Sequence, residues 1–340
     1  MSELSWIFTY GFFEARLFDL PNFAICFLFV LVVGKKLKVS SSVQFILILH
    51  CFLPFVLNQV LFDLNYMPDQ YKYWKTFNLI RNGDFDLANT SSASTVAISS
   101  YFFAVMPFPN ASGPWSLGFY NALLYCALFF WLYNKNVFTP LSQAFYLFFP
   151  SFALYSSLSL RDTFIMLSMV VAVQLARENK KIFMFVALMP LYFIKFQNFF
   201  ILVPLLVIYS VFKVSQNGMS LLRAGVISLI GLVTVLVSAP IALPLVNKYR
   251  VAMFVEDGGE ADDITLITGI GDFIYQGLTS GFYFLAKPFF WEVNSALQLI
   301  QSFENLIILA VLFLITKQAW KQQPKKLAFW LLFMALAFSV

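Results

Sequence analysis

Apolar runs of helix-spanning length recur through most of this chain, at Leu20–Gly34, Ser42–Leu61, Leu117–Tyr133, Pro140–Ser156, Thr163–Ala176, Ile182–Ile194, Gln197–Phe212, Leu222–Leu245, Ser302–Thr316 and Leu327–Val340. Charged residues make up only 11% of the sequence, too few to cover a surface facing water. The expected fold class is therefore all-α, a polytopic transmembrane helical protein with about ten spans of roughly 20 residues each. It is expected to form a single integral membrane domain over residues 1–340, with two large outer loops at 63–116 and 246–301. Met1–Phe18 lacks a basic start and a small-residue cleavage site, so it does not read as a removed signal peptide.

The charges give these spans an orientation. With the N-terminus outside, the inner loops hold Lys35, Lys36, Lys38, Lys135, Arg177, Lys180, Lys181, Lys213, Arg223, Lys317, Lys321, Lys325 and Lys326, and all but one of the 17 acidic residues lie outside. Glu178 is that one inner acid. This is a strong positive-inside pattern. It also explains the net charge of +5 better than a nucleic-acid partner does, and none is expected. Val96–Phe108 is apolar but short and closes on Pro107 and Pro109. If it spanned, every later loop would change sides and the bias would collapse, so it reads as a re-entrant or interfacial element.

Some charges fall where sidedness does not explain them. From Arg177 back to Arg161 is about 24 Å of helix, and from Lys181 forward to Lys195 about 21 Å, at roughly 1.5 Å per residue. The hydrocarbon core is about 30 Å thick. Arg161, Asp162 and Lys195 are thus predicted to lie below the outer surface, on the floor of a polar vestibule, with Gln197 and Asn198 in the adjoining turn. Arg suits bidentate contact with phosphate or carboxylate, and Lys adds a point charge. A plain alternative is a local Arg161–Asp162 pair with Lys195 snorkelling to the headgroups.

Other polar groups share that side. Asp63-Leu64-Asn65-Tyr66-Met67-Pro68-Asp69-Gln70-Tyr71 opens the first outer loop. Asp63 or Asp69 suits a general base for a hydroxyl acceptor or a metal ligand, or is simply a solvated acid. Lys248 and Arg250 bind phosphate or anchor at headgroups. Trp291, within Lys287-Pro288-Phe289-Phe290-Trp291-Glu292, belongs to an interfacial aromatic helix or stacks on sugars. Glu304 reads as a paired buried acid. His50, the only histidine, and Cys26, Cys51 and Cys126 lie in apolar helices and read as core. Gly269-Ile270-Gly271 lacks the rest of a nucleotide-binding fingerprint, and the acidic run 256–263 lacks EF-hand spacing. No metal or other cofactor is called for.

Several of these segments resemble a known family. Pro150-Ser151-Phe152, then Ser156-Ser157 and Leu160-Arg161-Asp162, resemble the central signature of bacterial polysaccharide polymerases of the Wzy and EpsG-like kind. Asp69-Gln70-Tyr71 with Tyr73, ahead of Ile80-Arg81-Asn82-Gly83, resembles their first outer loop. Pro288-Phe289-Phe290-Trp291-Glu292, followed by Glu304-Asn305, resembles a late-loop pattern. The chain departs from the family at Lys195, where a second arginine is expected, and in lacking a C-terminal motif rich in Asn and Arg. It ends inside an apolar run, as a fragment of a longer chain would.

The resemblance implies a GT-C-like membrane glycosyltransferase in the bacterial inner membrane, with its site facing the periplasm. It would transfer an undecaprenyl-diphosphate-linked glycan to a lipid-linked acceptor, working among membrane lipid beside a chain-length regulator or flippase. Arg161 and Lys195, with Lys248 or Arg250, would then hold the donor diphosphate. Asp69 or Asp63 would orient or deprotonate the acceptor, and Tyr71, Trp74 and Trp291 would pack on sugars, with Arg81 in the same outer-loop motif. A second reading is a transporter or flippase for an anionic or lipid-linked substrate, which predicts polar gates on both faces and symmetric halves. Neither is visible in the sequence.

Overall fold

The computed structural model describes residues 17–57, 67–109, 111–214, 218–256, 264–322 and 324–338. These residues form α-helices and one 3-10 turn, with no strand among them, so the all-α expectation holds. The chain divides into two compact units, Met1–Phe200 and Ile201–Val340.

In the first unit, α1 (Leu20–Lys36), α2 (Ser41–Leu57) and α6 (Leu117–Asn134) pack against one another. Helix α6 is the axis of the unit and is buried around most of its circumference, from Leu117, Gly118 and Phe119 through Tyr125 and Cys126 to Leu132. Its aromatic residues interlock with neighbouring helices. Tyr125 stacks on His50 at 4.6 Å and on Tyr146 at 4.6 Å, and Phe119 meets Phe55 edge-on. The three cysteines are free and buried, as expected, and the Cys51 and Cys126 sulfurs lie 3.6 Å apart.

Between α2 and α6, α3 (Asp69–Asn82), α4 (Phe85–Thr90) and α5 (Ser94–Ala104) pack together as a cap. Gly83 ends α3 in the left-handed region, at φ 88°, and its N–H returns to the last turn. Helix α5 carries the segment expected to be re-entrant or interfacial, and it packs on α3. The Arg81 guanidinium fixes the cap from within, donating to Ala104 O at 3.3 Å, Met106 O at 2.8 Å and Phe108 O at 2.6 Å.

The apolar run 140–156 is two helices rather than one. α7 (Pro140–Phe148) and α8 (Pro150–Tyr155) flank Phe149, whose backbone is extended. The proline ring at 150 excludes helical geometry from the residue before it. α9 (Asp162–Arg177) and α10 (Lys181–Ile194) then form a tight antiparallel pair. Glu178 sits at their turn, paired with Lys180 at 2.8 Å and Lys135 at 3.1 Å and accepting from Gln174. Those partners, Lys180 first, hold its carboxyl down at about 2. The one acid of the expected inner loops is thus the hub of a basic cluster.

α11 (Phe196–Val211) carries the boundary between the units. In the second unit, α12 (Leu221–Glu256) runs on past Pro240 and Pro244, well beyond its apolar run. α13 (Ile270–Ala286), α14 (Ala296–Gln322) and α15 (Pro324–Phe338) complete it, with a small core of Val214, Met219, Ala224, Ala328 and Leu332.

Among the described residues, two helical stretches are long and apolar enough to cross a membrane, Leu221–Ile241 and Ala296–Lys321. Exposed apolar side chains are abundant elsewhere too, as at Val32, Phe45, Ile182, Phe183 and Val186.

Candidate substrate-binding cavity

Between residue 155 and α9 the chain crosses the core as a short buried strap, residues 156–161. Ser156, Ser157, Leu158 and Ser159 are almost fully buried, so their backbone groups need partners inside the protein. Asn121, in the middle of α6, donates its side-chain amide to Leu158 O and Leu160 O, each at 2.6 Å. Gln70, in the first turn of α3, accepts from the Ser159 N–H at 3.1 Å. Gly118 lets the strap come close, since a Cβ there would stand 2.3 Å from Ser157 O. The strap ends at Arg161, immediately before α9.

Across from it, Lys195 is the single residue between α10 and α11, with φ −150° and ψ 74°. Its backbone N–H closes α10 on Leu191 O, and its carbonyl accepts from the Asn198 N–H. The side chain of Asn198 turns to the Met169 sulfur of α9, at 3.4 Å.

A cavity of about 210 Å³ opens here, lined by Met67, Pro68, Asp69, Tyr73, Leu160, Arg161, Asp162 and Lys195. The volume equals about seven waters at roughly 30 Å³ each. That is room for a phosphate or diphosphate headgroup, while a sugar chain would have to lie beyond the mouth. Among the described residues neither Arg161 nor Lys195 forms an ion pair, and the buried Nη1 of Arg161 has no hydrogen-bond partner. Asp69 is exposed and bridges to Lys72 at 2.8 Å. The Tyr73 hydroxyl, on the cap helix α3, is raised by burial. The lining therefore offers two cations from separate helix junctions, an acid at the rim, and a phenol that stays protonated.

Four of the sequence-predicted residues, Asp69, Arg161, Asp162 and Lys195, thus meet in one place. Tyr71 and Gln197 are half-buried nearby in sequence but do not line the cavity. Trp74 donates its indole N–H to Ala111 O within the cap. Arg81 does not line the cavity either; its three nitrogens hold the cap's own carbonyls, and Phe77 lies under its guanidinium at 4.8 Å. Asp63 lies outside the described residues.

Lys248, Arg250 and Trp291 belong to the second unit. There Lys248 is exposed, Arg250 donates to Thr265 O at 3.2 Å, and Trp291 is 79% exposed and stacks on Phe289 at 4.8 Å. Glu304 is buried.

Sequence reasoning missed Asn121 as the strap's main support, and used Gln70 and Tyr73 only as parts of a motif. A buried Asn in an apolar run was the available signal for Asn121. No group of three or more His, Cys, Asp or Glu suited to a metal occurs among the described residues. No protein-family model, no curated protein and no solved structure matches this chain.

Proposed function

We propose that this chain is a polytopic membrane glycosyltransferase of the polysaccharide-polymerase kind, with about ten spans and its site open to the periplasmic face of the bacterial inner membrane. The observation that carries this reading is the meeting of Arg161 and Lys195, from separate helix junctions, in a cavity whose rim holds Asp69. The exposed apolar side chains and the two helices of membrane-spanning length support the membrane setting. The short motifs around Asp69, Arg161 and Trp291 supply the family.

In this reading the diphosphate of an undecaprenyl-linked glycan sits between Arg161 and Lys195. The guanidinium gives directional hydrogen bonds and the ammonium a point charge. Asp69 orients the acceptor hydroxyl of a second lipid-linked unit and takes its proton as the oxygen attacks the anomeric carbon. The bond from that carbon to the diphosphate oxygen breaks, and its electron pair leaves with undecaprenyl diphosphate. The two cations stabilise the charge that develops there.

Arg161→Ala tests the reading in cells that depend on this protein for polymer. Polymer should disappear while the protein stays at its normal level in the membrane. Polymer of normal length and amount from that variant would overturn the assignment. Reconstitution with a lipid-linked oligosaccharide separates the transporter reading, which predicts movement across the bilayer with no new glycosidic bond.

A further inference from the structure

We propose that Asn121 is a positioning residue for Arg161, and that the strap it holds makes the cavity select a diphosphate over a single phosphate. The proposal rests on the reading of the cavity as a diphosphate site. It adds the part of the protein that sets the selectivity.

Arg161 follows directly on the strap, and the Leu160 carbonyl shares one planar peptide unit with the Arg161 nitrogen. Asn121 Nδ2 holds that carbonyl at 2.6 Å and the Leu158 carbonyl at 2.6 Å. Gln70, on α3, accepts from the N–H of the intervening Ser159 at 3.1 Å. Three successive residues are thereby fixed just before the guanidinium's own Cα. On the far side, Thr163 Oγ1 donates to Tyr155 O at 3.1 Å, so the chain just beyond the strap is tied back to the residue before it.

Asn121 is itself fully buried in an apolar helix. Burying an amide there is unfavourable unless its hydrogen bonds are made. Both bonds of its amide nitrogen go to the strap, while its Oδ1 is buried without a hydrogen-bond partner; Gly118, the glycine of the same helix, admits the Ser157 carbonyl. The arrangement matters most for an arginine. A guanidinium recognises oxygen pairs through a rigid fork whose direction must be set, whereas an ammonium acts at any orientation. Lys195 can follow a shifted anion, but Arg161 cannot. A loosened strap should therefore cost the second phosphate more than the first.

The test uses the full chain in detergent micelles, with inorganic pyrophosphate and inorganic orthophosphate as probes in titration calorimetry. The wild type should prefer pyrophosphate, and Arg161→Gln should lose that preference. Asn121→Asp keeps the size of the side chain but removes the donating amide. It should bind pyrophosphate about tenfold more weakly while orthophosphate binding changes by less than about twofold, at unchanged helicity and elution volume. A purely structural role would lower thermal stability and leave the ratio alone, so a wild-type ratio in Asn121→Asp overturns the proposal.

Should that variant fail to fold, Gln70→Met removes the Ser159 contact from the cap side. It should lower the same ratio, and an unchanged ratio there overturns the proposal equally. If wild type and Arg161→Gln bind pyrophosphate alike, the diphosphate reading has failed and this proposal with it.

Discussion

The ring of Phe102 stacks on that of Phe164 with centroids 3.7 Å apart and planes 19° from parallel. Phe102 belongs to the cap helix α5, and Phe164 lies in the first turn of α9, three residues after Arg161. The stack seats the cap on the helix that presents the cation. Phe102→Ala should destabilise the protein by about 1–3 kcal/mol, combining the lost pair energy with the lost buried area. A double-mutant cycle with Phe164→Ala should return a coupling of about 0.5–1.5 kcal/mol. Thermal unfolding followed by labelling of the buried cysteines would measure both, and purely additive effects would refute the role given to the stack.

Gly118 faces a backbone carbonyl, which cannot rotate aside as a side chain can. Adding a Cβ 2.3 Å from Ser157 O forces α6 and the strap apart. Gly118→Ala should cost about 3 kcal/mol, the upper end of overpacking penalties, and weaken pyrophosphate binding as well. Unfolding and calorimetry on one preparation would check the pair. A variant as stable as wild type would show that the strap yields easily.

Arg81 should prove structural. Lysine in its place keeps the charge but cannot reach the carbonyls of residues 104, 106 and 108 together. Because the group is exposed, Arg81→Lys should cost only about 1–2 kcal/mol. It should also speed limited proteolysis at 104–109 while pyrophosphate affinity stays unchanged. Unaltered cleavage would count against the clamp.

Asp19 gives a pH dependence. Its carboxylate, just ahead of α1, is fully buried and accepts from Asn22, Trp115 and Ser116, each at 2.9 Å. Burial dominates over those bonds and pushes its pKa up to about 6. The folded protein therefore holds this proton more tightly than the unfolded chain, whose carboxyl titrates near 3.8. Stability from this group is full below pH of about 4 and falls as pH rises towards about 6, by up to about 3 kcal/mol. Asp19→Asn should flatten that slope. Melting temperatures from pH 4 to pH 7, with glutamate left out of the buffers to avoid overlap, would show whether it does.

The helix positions were legible because apolar runs are. Leu20, Leu117 and the 181–194 stretch needed only hydropathy and their flanking charges. The break at Phe149 was written in Pro150, yet hydropathy alone ran across it. The extension of α12 to Glu256 had no such marker, since Lys248 and Arg250 are good helix formers that a hydropathy reading ends on. In the cavity, Arg161, Asp162 and Lys195 were legible from helix length and Asp69 from its place in the first outer loop. Asn121 was not, because its partners are backbone carbonyls and carry no residue signature. Arg81 looked like a ligand for the same reason: the carbonyls that occupy it are invisible in a sequence.

The Asp19 knot has one more consequence. It fastens the end of the cap, at Trp115 and Ser116, to the start of α1, and α1 packs along α2, from which the cap departs. The cap is nonetheless no separate lid hung from that knot. Its Phe77, Phe103 and Phe108 rings all meet Tyr120 of α6, so cap and bundle share one hydrophobic core and should unfold as one cooperative unit.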